Sequence, residues 1–362
     1  MDEVIVVGAG LAGLVAAINC ARSGHKVTVF EKEKQVGGAA HIRPAVDVTP
    51  MDREALAGFI GIELKEPQVV PTEEFILYIY GKRYSIPGPW LHLHSVERGS
   101  RKTSLDQYLY KTALDAGVKF EFGAAIEDQE QYACLPFYSI IATGLTAEPF
   151  HAMRRPALNV YGHIARGTEK GAPRMIAFFD RDTKYYRYFA NQNGVAFGLG
   201  FDAAPVEESL RDEWNREMEE REGWRFKQWL PHEGVVATPR IDSPALFASY
   251  RILAGTFAGM QDPFVLFGVH GSLCSGKIAA MAVEDRERAW RLFKDFTSGY
   301  KVSWSVKKIF DHLPHAGRNI ALRSILSLYG SHQGRMQPFV EFLMRTLPGY
   351  GRLPEGWIWR KK

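Results

Sequence analysis

Apolar and polar positions along this chain follow two periods, and the period predicts the elements. Residues 4–7 (VIVV) form an uninterrupted apolar run, as expected of a parallel strand covered on both faces. Residues 11–23 carry apolar side chains at helical spacing and stop at Gly24, a natural helix end. Residues 27–30 (VTVF) read as a second strand closing on Glu31. The same alternation returns later: an amphipathic helix over 103–116 before Gly117, a strand at 118–122, a strand at 139–142, and a strand at 252–254 ahead of a helix from Ser272. Between these stretches the period drops to two. Residues 75–80 and 83–86 form a hairpin about Gly81-Lys82, and 175–180, 184–189 and 195–200 form an antiparallel sheet turning at 181–182 and 191–194. Residues 51–60 read as a short helix, 206–229 as one long amphipathic helix, and 321–329 and 339–345 as helices parted by 330–338.

The first strand runs into Gly8-Ala9-Gly10-Leu11-Ala12-Gly13, a GxGxxG turn. Gly8 suits the tight turn, Gly10 lets backbone approach a pyrophosphate, and Gly13 lets helix and strand pack closely. Leu11 and Ala12 open the helix, whose free N–H groups and positive end favour phosphate. Glu31, at the end of the second strand, is placed to accept hydrogen bonds from an adenosine ribose. Lys32 follows, and then a glycine pair, Gly37-Gly38, with Ala39; this brings backbone close to a larger ligand again.

In this order the pieces resemble the large two-domain FAD oxidoreductases. There the Gly37-Gly38 segment passes the ribityl chain, a basic residue such as Arg101 reaches the cofactor, and Ile126 and the Thr143-Gly144 strand end lie beside the dinucleotide. Gly255-Thr256-Phe-Ala-Gly259 with Gly268-Val-His-Gly271-Ser272-Leu273 resembles their flavin-end motif. One position departs from it: Thr256 stands where the family has the aspartate that bonds the ribityl hydroxyls. The chain is most similar to the group-2 flavoproteins of the p-hydroxybenzoate-hydroxylase fold, above all the geranylgeranyl reductases. That resemblance implies FAD as cofactor and an α/β fold: an interrupted Rossmann-type FAD-binding domain (1–48, 95–150 and 245–295), an inserted antiparallel β-sheet substrate domain (49–94 and 151–244), and a basic C-terminal helical region (296–362). Tyr186, Tyr188, Phe189 and Gly198 stand at the spacing of the reductases' substrate element, with tyrosine where tryptophan is usual. His41 and His270, near the two glycine segments, are the expected proton donors.

The resemblance further implies hydride transfer between flavin and an apolar, isoprenoid or lipid-like substrate, with reduction of a C=C bond. An amine-oxidase or phytoene-desaturase-like dehydrogenase, a flavin monooxygenase and a non-enzymatic FAD-binding redox sensor remain open. No second GxGxxG is present, so electrons are expected from an external donor or a transiently docked nicotinamide.

Composition sharpens this picture without redirecting it. The 362 residues are 46% hydrophobic and 24% charged, which excludes a disordered or fibrous chain. Three scattered cysteines, Cys20, Cys134 and Cys274, exclude a disulfide framework and point to a reducing, cytoplasmic compartment. His92-Leu-His94 would place two imidazoles on one strand face, but no carboxylate or third ligand accompanies them, and no metal is expected. The net charge of +4 is too mild for nucleic acid, but it is unevenly spread. Residues 301–362 hold 11 Lys+Arg and 3 Asp+Glu, net +8, leaving the rest at −4. With Trp357 and Trp359 beside three terminal cations, that tail suits the inner face of an anionic membrane.

Overall fold

The computed structural model describes residues 3–39, 41–180, 187–237, 243–264, 266–331, 333–346 and 349–354. Its first sheet has six strands in the order Phe247–Ala248, Arg251–Leu253, Ile140–Ile141, Glu3–Val7, Lys26–Glu31 and Lys119–Phe122. Every pair is parallel except the outermost, with Val6 opposite both Val29 and Ile140. Such a sheet must be covered on both faces, which is why its strands read as unbroken apolar runs. Helix Leu11–Arg22 buries every residue from Leu11 to Cys20. It lies close to helix Val269–Glu284: a Cβ on Gly276 would fall 2.4 Å from the Ala12 carbonyl oxygen. Chain connections leave Glu3–Val7 toward opposite sides of the sheet, so a crevice opens at its carboxyl end, just where Gly8 begins.

The second sheet has seven strands in the order Gln228–Ala237, Ala157–Gly167, Val195–Asp202, Arg187–Gln192, Arg174–Phe179, Glu74–Ile79 and Lys82–Pro87. It is antiparallel except where Arg174–Phe179 runs parallel to Glu74–Ile79. Both of its faces are buried. One carries Ile76, Phe178, Phe189 and Ala196 against Trp214 and Met218 of helix Glu208–Glu222. The other carries Ile164, Met175, Tyr188 and Phe197 into the main core. A small sheet of Ala45–Pro50, Leu93–Arg98 and Val69–Pro71 touches both the seven-stranded sheet and helix Val269–Glu284.

Three sequence expectations are corrected here. The helix expected over 206–229 ends at Glu222, because Gly223 turns left-handed (φ 66°) and closes it. Residues from Gln228 instead become an edge strand of the larger sheet. His92 is not on a strand: it caps a short 3₁₀ turn at φ 49°, and only His94 lies in Leu93–Arg98. The break expected over 330–338 is absent among the described residues, since helices His315–Ser331 and Gln333–Thr346 nearly meet and Pro338 lies inside the second.

The C-terminal helices are tied to the body by polar contacts, one buried and one half-buried. Ser303 Oγ donates to Asp262 Oδ2 at 2.5 Å, and Arg352 donates to Asp295 Oδ1 at 2.8 Å. No helix among the described residues is long and apolar enough to cross a membrane.

Candidate cofactor and substrate site

The crevice at the carboxyl end of the parallel sheet is a cavity of ≈ 390 Å³. Gly8 enters it at φ 100°, where a Cβ would lie 2.5 Å from the Ala142 carbonyl oxygen, so only glycine makes this turn. A Cβ on Gly13 would stand 1.9 Å from the Gly8 oxygen, which keeps helix and turn in contact. Gly10 faces open space and caps the helix without any side chain. The first N–H groups of Leu11–Arg22 are therefore unclaimed by a capping side chain and stand at the cavity, a ready anion site.

Glu31 accepts from Ala9 N–H at 2.7 Å and from Glu33 N–H at 2.9 Å. Burial raises its pKa, and the two backbone bonds oppose that rise. Lys32, Gly38, Ala39, Ile126, Thr143 and Gly144 line the same cavity, as does His41. Thr143 Oγ1 is buried there with no hydrogen-bond partner. A hydroxyl stranded beside an uncapped helix end and a cavity-lining carboxylate is what a polar ligand would complete.

A second cavity, ≈ 210 Å³, adjoins the first and shares Ile42, Arg43, Arg98, Leu145 and His232 with it. Thr256, Gly268 and Ser272 line one side, at the uncapped start of helix Val269–Glu284. The opposite side is the apolar face of the seven-stranded sheet, with Val160, Ile164, Met175, Tyr188, Phe197 and Leu199. Arg98 is fully engaged: it donates to both oxygens of Asp106, at 2.8 and 2.9 Å, and to Asp47 at 3.1 Å. Burial pushes Asp106 up, but the charge and hydrogen bonds of Arg98 outweigh it and the carboxyl ends below its usual value.

Several nominated residues sit elsewhere. Arg101 pairs with Glu97 at 3.3 Å and donates to the Asn193 carbonyl at 2.9 Å, outside both cavities; Arg98, three residues earlier, reaches them instead. His270 is wholly buried against Phe296 and Cys274 and lines neither cavity; burial drives its pKa to about 3. Phe189 and Gly198 are directly paired and point away from the chamber. A Cβ on Gly198 would meet the Phe226 ring at 2.5 Å. Strand alternation puts Tyr188 on the chamber side and its neighbour under helix Glu208–Glu222. Gly255, Gly271 and Leu273 pack beneath the site: a Cβ on Gly255 would lie 2.9 Å from that of Ala12, one on Gly271 2.4 Å from the Met260 oxygen, and Leu273 is fully buried. Tyr186 lies outside the described residues.

Arg43 and His232 were not foreseen. Arg43 follows the glycine pair by five residues, a cue the sequence did offer. His232 lies on a strand that a helical reading of its neighbours conceals.

Comparison with known proteins agrees with this geometry. A family model described as an NAD(P)-binding Rossmann-like domain matches residues 6–55. Over 50 residues, 14% of this chain, it is 50% identical to the flavin-containing monooxygenase FMO GS-OX2 of Arabidopsis thaliana; the matched stretch spans 11% of that protein. Similarity across the whole length is structural. A geranylgeranyl bacteriochlorophyll reductase-like protein of Thermoplasma acidophilum superposes with a TM-score of 0.69 at 14% identity, covering 90% of this chain and 91% of the other. The p-nitrophenol 4-monooxygenase of Pseudomonas putida DLL-E4 superposes at 0.61 and 13% identity, over 94% and 97%. The chain has the fold of the FAD-dependent oxidoreductases, in the form shared by geranylgeranyl reductase-like proteins and group-2 flavin monooxygenases. The crevice, with its uncapped helix, the Glu31 carboxylate at its strand end and the stranded Thr143 hydroxyl, fits FAD.

Proposed function

We propose that this protein is an FAD-dependent oxidoreductase that reduces a C=C bond in a substrate with an apolar, isoprenoid or lipid-like body. One observation carries the reading: an apolar chamber adjoins the nucleotide crevice at the uncapped start of helix Val269–Glu284. Bound FAD would supply the hydride chemistry, and an external donor would replenish its electrons. The chain's own part is positional. The Gly8–Gly13 turn and Glu31 hold the nucleotide, and the uncapped helix start favours negative charge at the flavin end. The sheet face from Val160 to Leu199 orients the alkene carbons and excludes water. Of the two histidines nominated as proton donors, only His41 faces a cavity; burial first, and then the Lys32 charge, lower its pKa.

The exposed apolar positions of the C-terminal helices and their net positive charge support a membrane surface as the source of such a substrate.

The test is anaerobic reoxidation. FAD-loaded protein reduced with dithionite should be reoxidised by a polyprenyl alkene with stoichiometric saturation of one double bond. No reoxidation by any polyprenyl or lipid alkene would remove the reading. A monooxygenase is the second reading, favoured by the structural likeness to p-nitrophenol 4-monooxygenase. Oxygen consumption with incorporation of one oxygen atom into product distinguishes it.

A further inference from the structure

Among the described residues that line the chamber, Tyr188 alone carries a phenol. It lies on Arg187–Gln192, the middle strand of the seven, opposite Ala177 and Leu199 on the two neighbouring strands. Its ring stands 5.9 Å from that of Phe197, and the surrounding Ile164, Met175 and Val236 have no proton to give. The other polar groups of the chamber are poor acids. Arg43 and Arg98 are balanced by Asp47 and Asp106, and a guanidinium keeps its proton. Burial, and then nearby His41, hold the His232 pKa below its usual value, so its ring is neutral at pH 7, and its Nδ1 is buried. Thr256 and Ser272 offer aliphatic hydroxyls, weaker acids than a phenol. His41 lines the crevice and not the chamber.

We infer that Tyr188 is the catalytic proton donor of the chamber, and that its substrate is a C=C bond conjugated to a carbonyl group on an apolar body. This rests on the reductase reading and deepens it. A phenol, with an ordinary pKa of about 10, is far too weak an acid to protonate an isolated alkene. It is strong enough to protonate the enolate that hydride addition to a conjugated alkene leaves behind. The hydride, supplied by reduced FAD, adds to the β carbon, and the π electrons move to the α carbon and its carbonyl oxygen. The Oη–H bond of Tyr188 breaks as the Cα–H bond forms, and the phenolate takes its proton back from solvent. The alkene thus gains one hydride and one proton, and the flavin is left oxidised. Arg43 lies near enough for charge on Tyr188 to act on it, and its guanidinium in turn favours the phenolate formed in that step. A central strand buried on both faces holds the phenol in a fixed position. The sequence carried a cue to this role, tyrosine in place of the tryptophan of the reductases' element, since an indole N–H is too weak an acid for the step.

The experiment reduces FAD-loaded protein anaerobically with dithionite and mixes it with two conjugated probes, citral and β-methyl-β-nitrostyrene. Saturation of citral needs a proton at carbon, whereas the nitroalkene can accept hydride alone and leave as a stable nitronate. Tyr188→Phe removes one oxygen and keeps the ring, so FAD content and melting temperature should stay within error. It should slow saturation of citral by about 10²–10⁴-fold. With the nitroalkene it should reoxidise at close to the parent rate and accumulate nitronate, which the parent converts to nitroalkane. Saturation by the parent should also fall as the phenol ionises. The ultraviolet difference spectrum of oxidised, substrate-free parent against Tyr188→Phe reads that ionisation directly, and the two midpoints should coincide. Undiminished citral saturation by Tyr188→Phe overturns the proposal. So do midpoints that differ, or equal slowing with both probes, which would leave the ring only a shaping role. A parent whose reduced flavin neither probe reoxidises sinks the reductase reading and Tyr188 with it. A parent that reacts and a variant that matches it sink the proton donor alone.

Discussion

The Ala9 and Glu33 N–H groups hold the Glu31 carboxylate, so its oxygens are fixed at the crevice without any ligand. A charged acceptor is worth about 1.5–3 kcal/mol in a hydrogen bond. Glu31→Gln keeps one acceptor and loses the charge, and should weaken FAD by roughly tenfold to a hundredfold, read by fluorescence titration of the apo protein. An unchanged affinity would mean that the ribose lies elsewhere. His270 makes the opposite point, for its burial is structural. Its pKa is about 3 in the fold against 6.5 for a solvated imidazole, because burial disfavours the charged ring. The folded protein therefore binds fewer protons than the unfolded chain between those values. Stability is whole above pH ~6.5 and is lost as pH falls toward 3, by up to about 1.4 kcal/mol per pH unit. His94, lowered to about 4 mainly by burial, adds a loss of the same sign. Denaturant midpoints of His270→Leu should fall less steeply below pH 6.5 than those of the parent; parallel curves would contradict this. In sequence, a histidine beside a flavin-end glycine loop looks reactive. Nothing in the sequence shows Phe296 and Cys274 closing over it.

At the scale of elements, the parallel strands and the glycine turn were legible because each answers to local chemistry: an apolar run, a φ that only glycine tolerates, a carboxylate at a strand end. The larger sheet was only half legible. Both of its faces are buried, so Arg187–Gln192 lacks the apolar–polar alternation that tells one face from the other. Tyr188 and Phe189 therefore look alike in sequence and diverge in the fold. Phe189→Ala should cost about 3–5 kcal/mol, since its ring is fully buried against Trp224 and Phe226. Ligand affinity per folded molecule should not change. Tyr188→Ala should do the reverse, leaving the unfolding midpoint nearly in place and altering ligand affinity several-fold. Chemical denaturation and probe titration on both proteins check the pair, and matching effects would show that the two faces are not separated in this way. The strand Gln228–Ala237 escaped for a related reason: one glycine, Gly223, ends a charged helix whose periodic pattern continues past it.

At the scale of the molecule, the basic excess is joined to an apolar surface. Val302, Val306 and Ile309 recur at i, i+4 and i+7 on Tyr300–His312 and are 40%, 49% and 66% exposed. That spacing places them on one helix face, a stripe that water does not reward. Lys301 and Lys308 are exposed on the same helix, whereas Lys307 turns inward to Asp311 at 2.5 Å. Ile320, Ile325, Phe339 and Phe342 are exposed on the two helices that follow. An anionic bilayer would meet both features, burying the apolar stripe and attracting the cations, each worth about 1 kcal/mol near the surface. The terminal tryptophans lie outside the described residues, so two variants separate their contribution from that of the helix. Val306→Asp with Ile309→Asp should lower partitioning onto phosphatidylserine-containing vesicles by about tenfold or more, with FAD content unchanged. Truncation after Pro354 should lower it further and reduce its salt sensitivity, because three cations leave with the tail. Sedimentation with vesicles at low and at physiological salt measures both. If the full chain stays in the supernatant at low salt, membrane contact is ruled out. If only truncation matters, contact lies in the tail alone and the helix stripe is covered by something else.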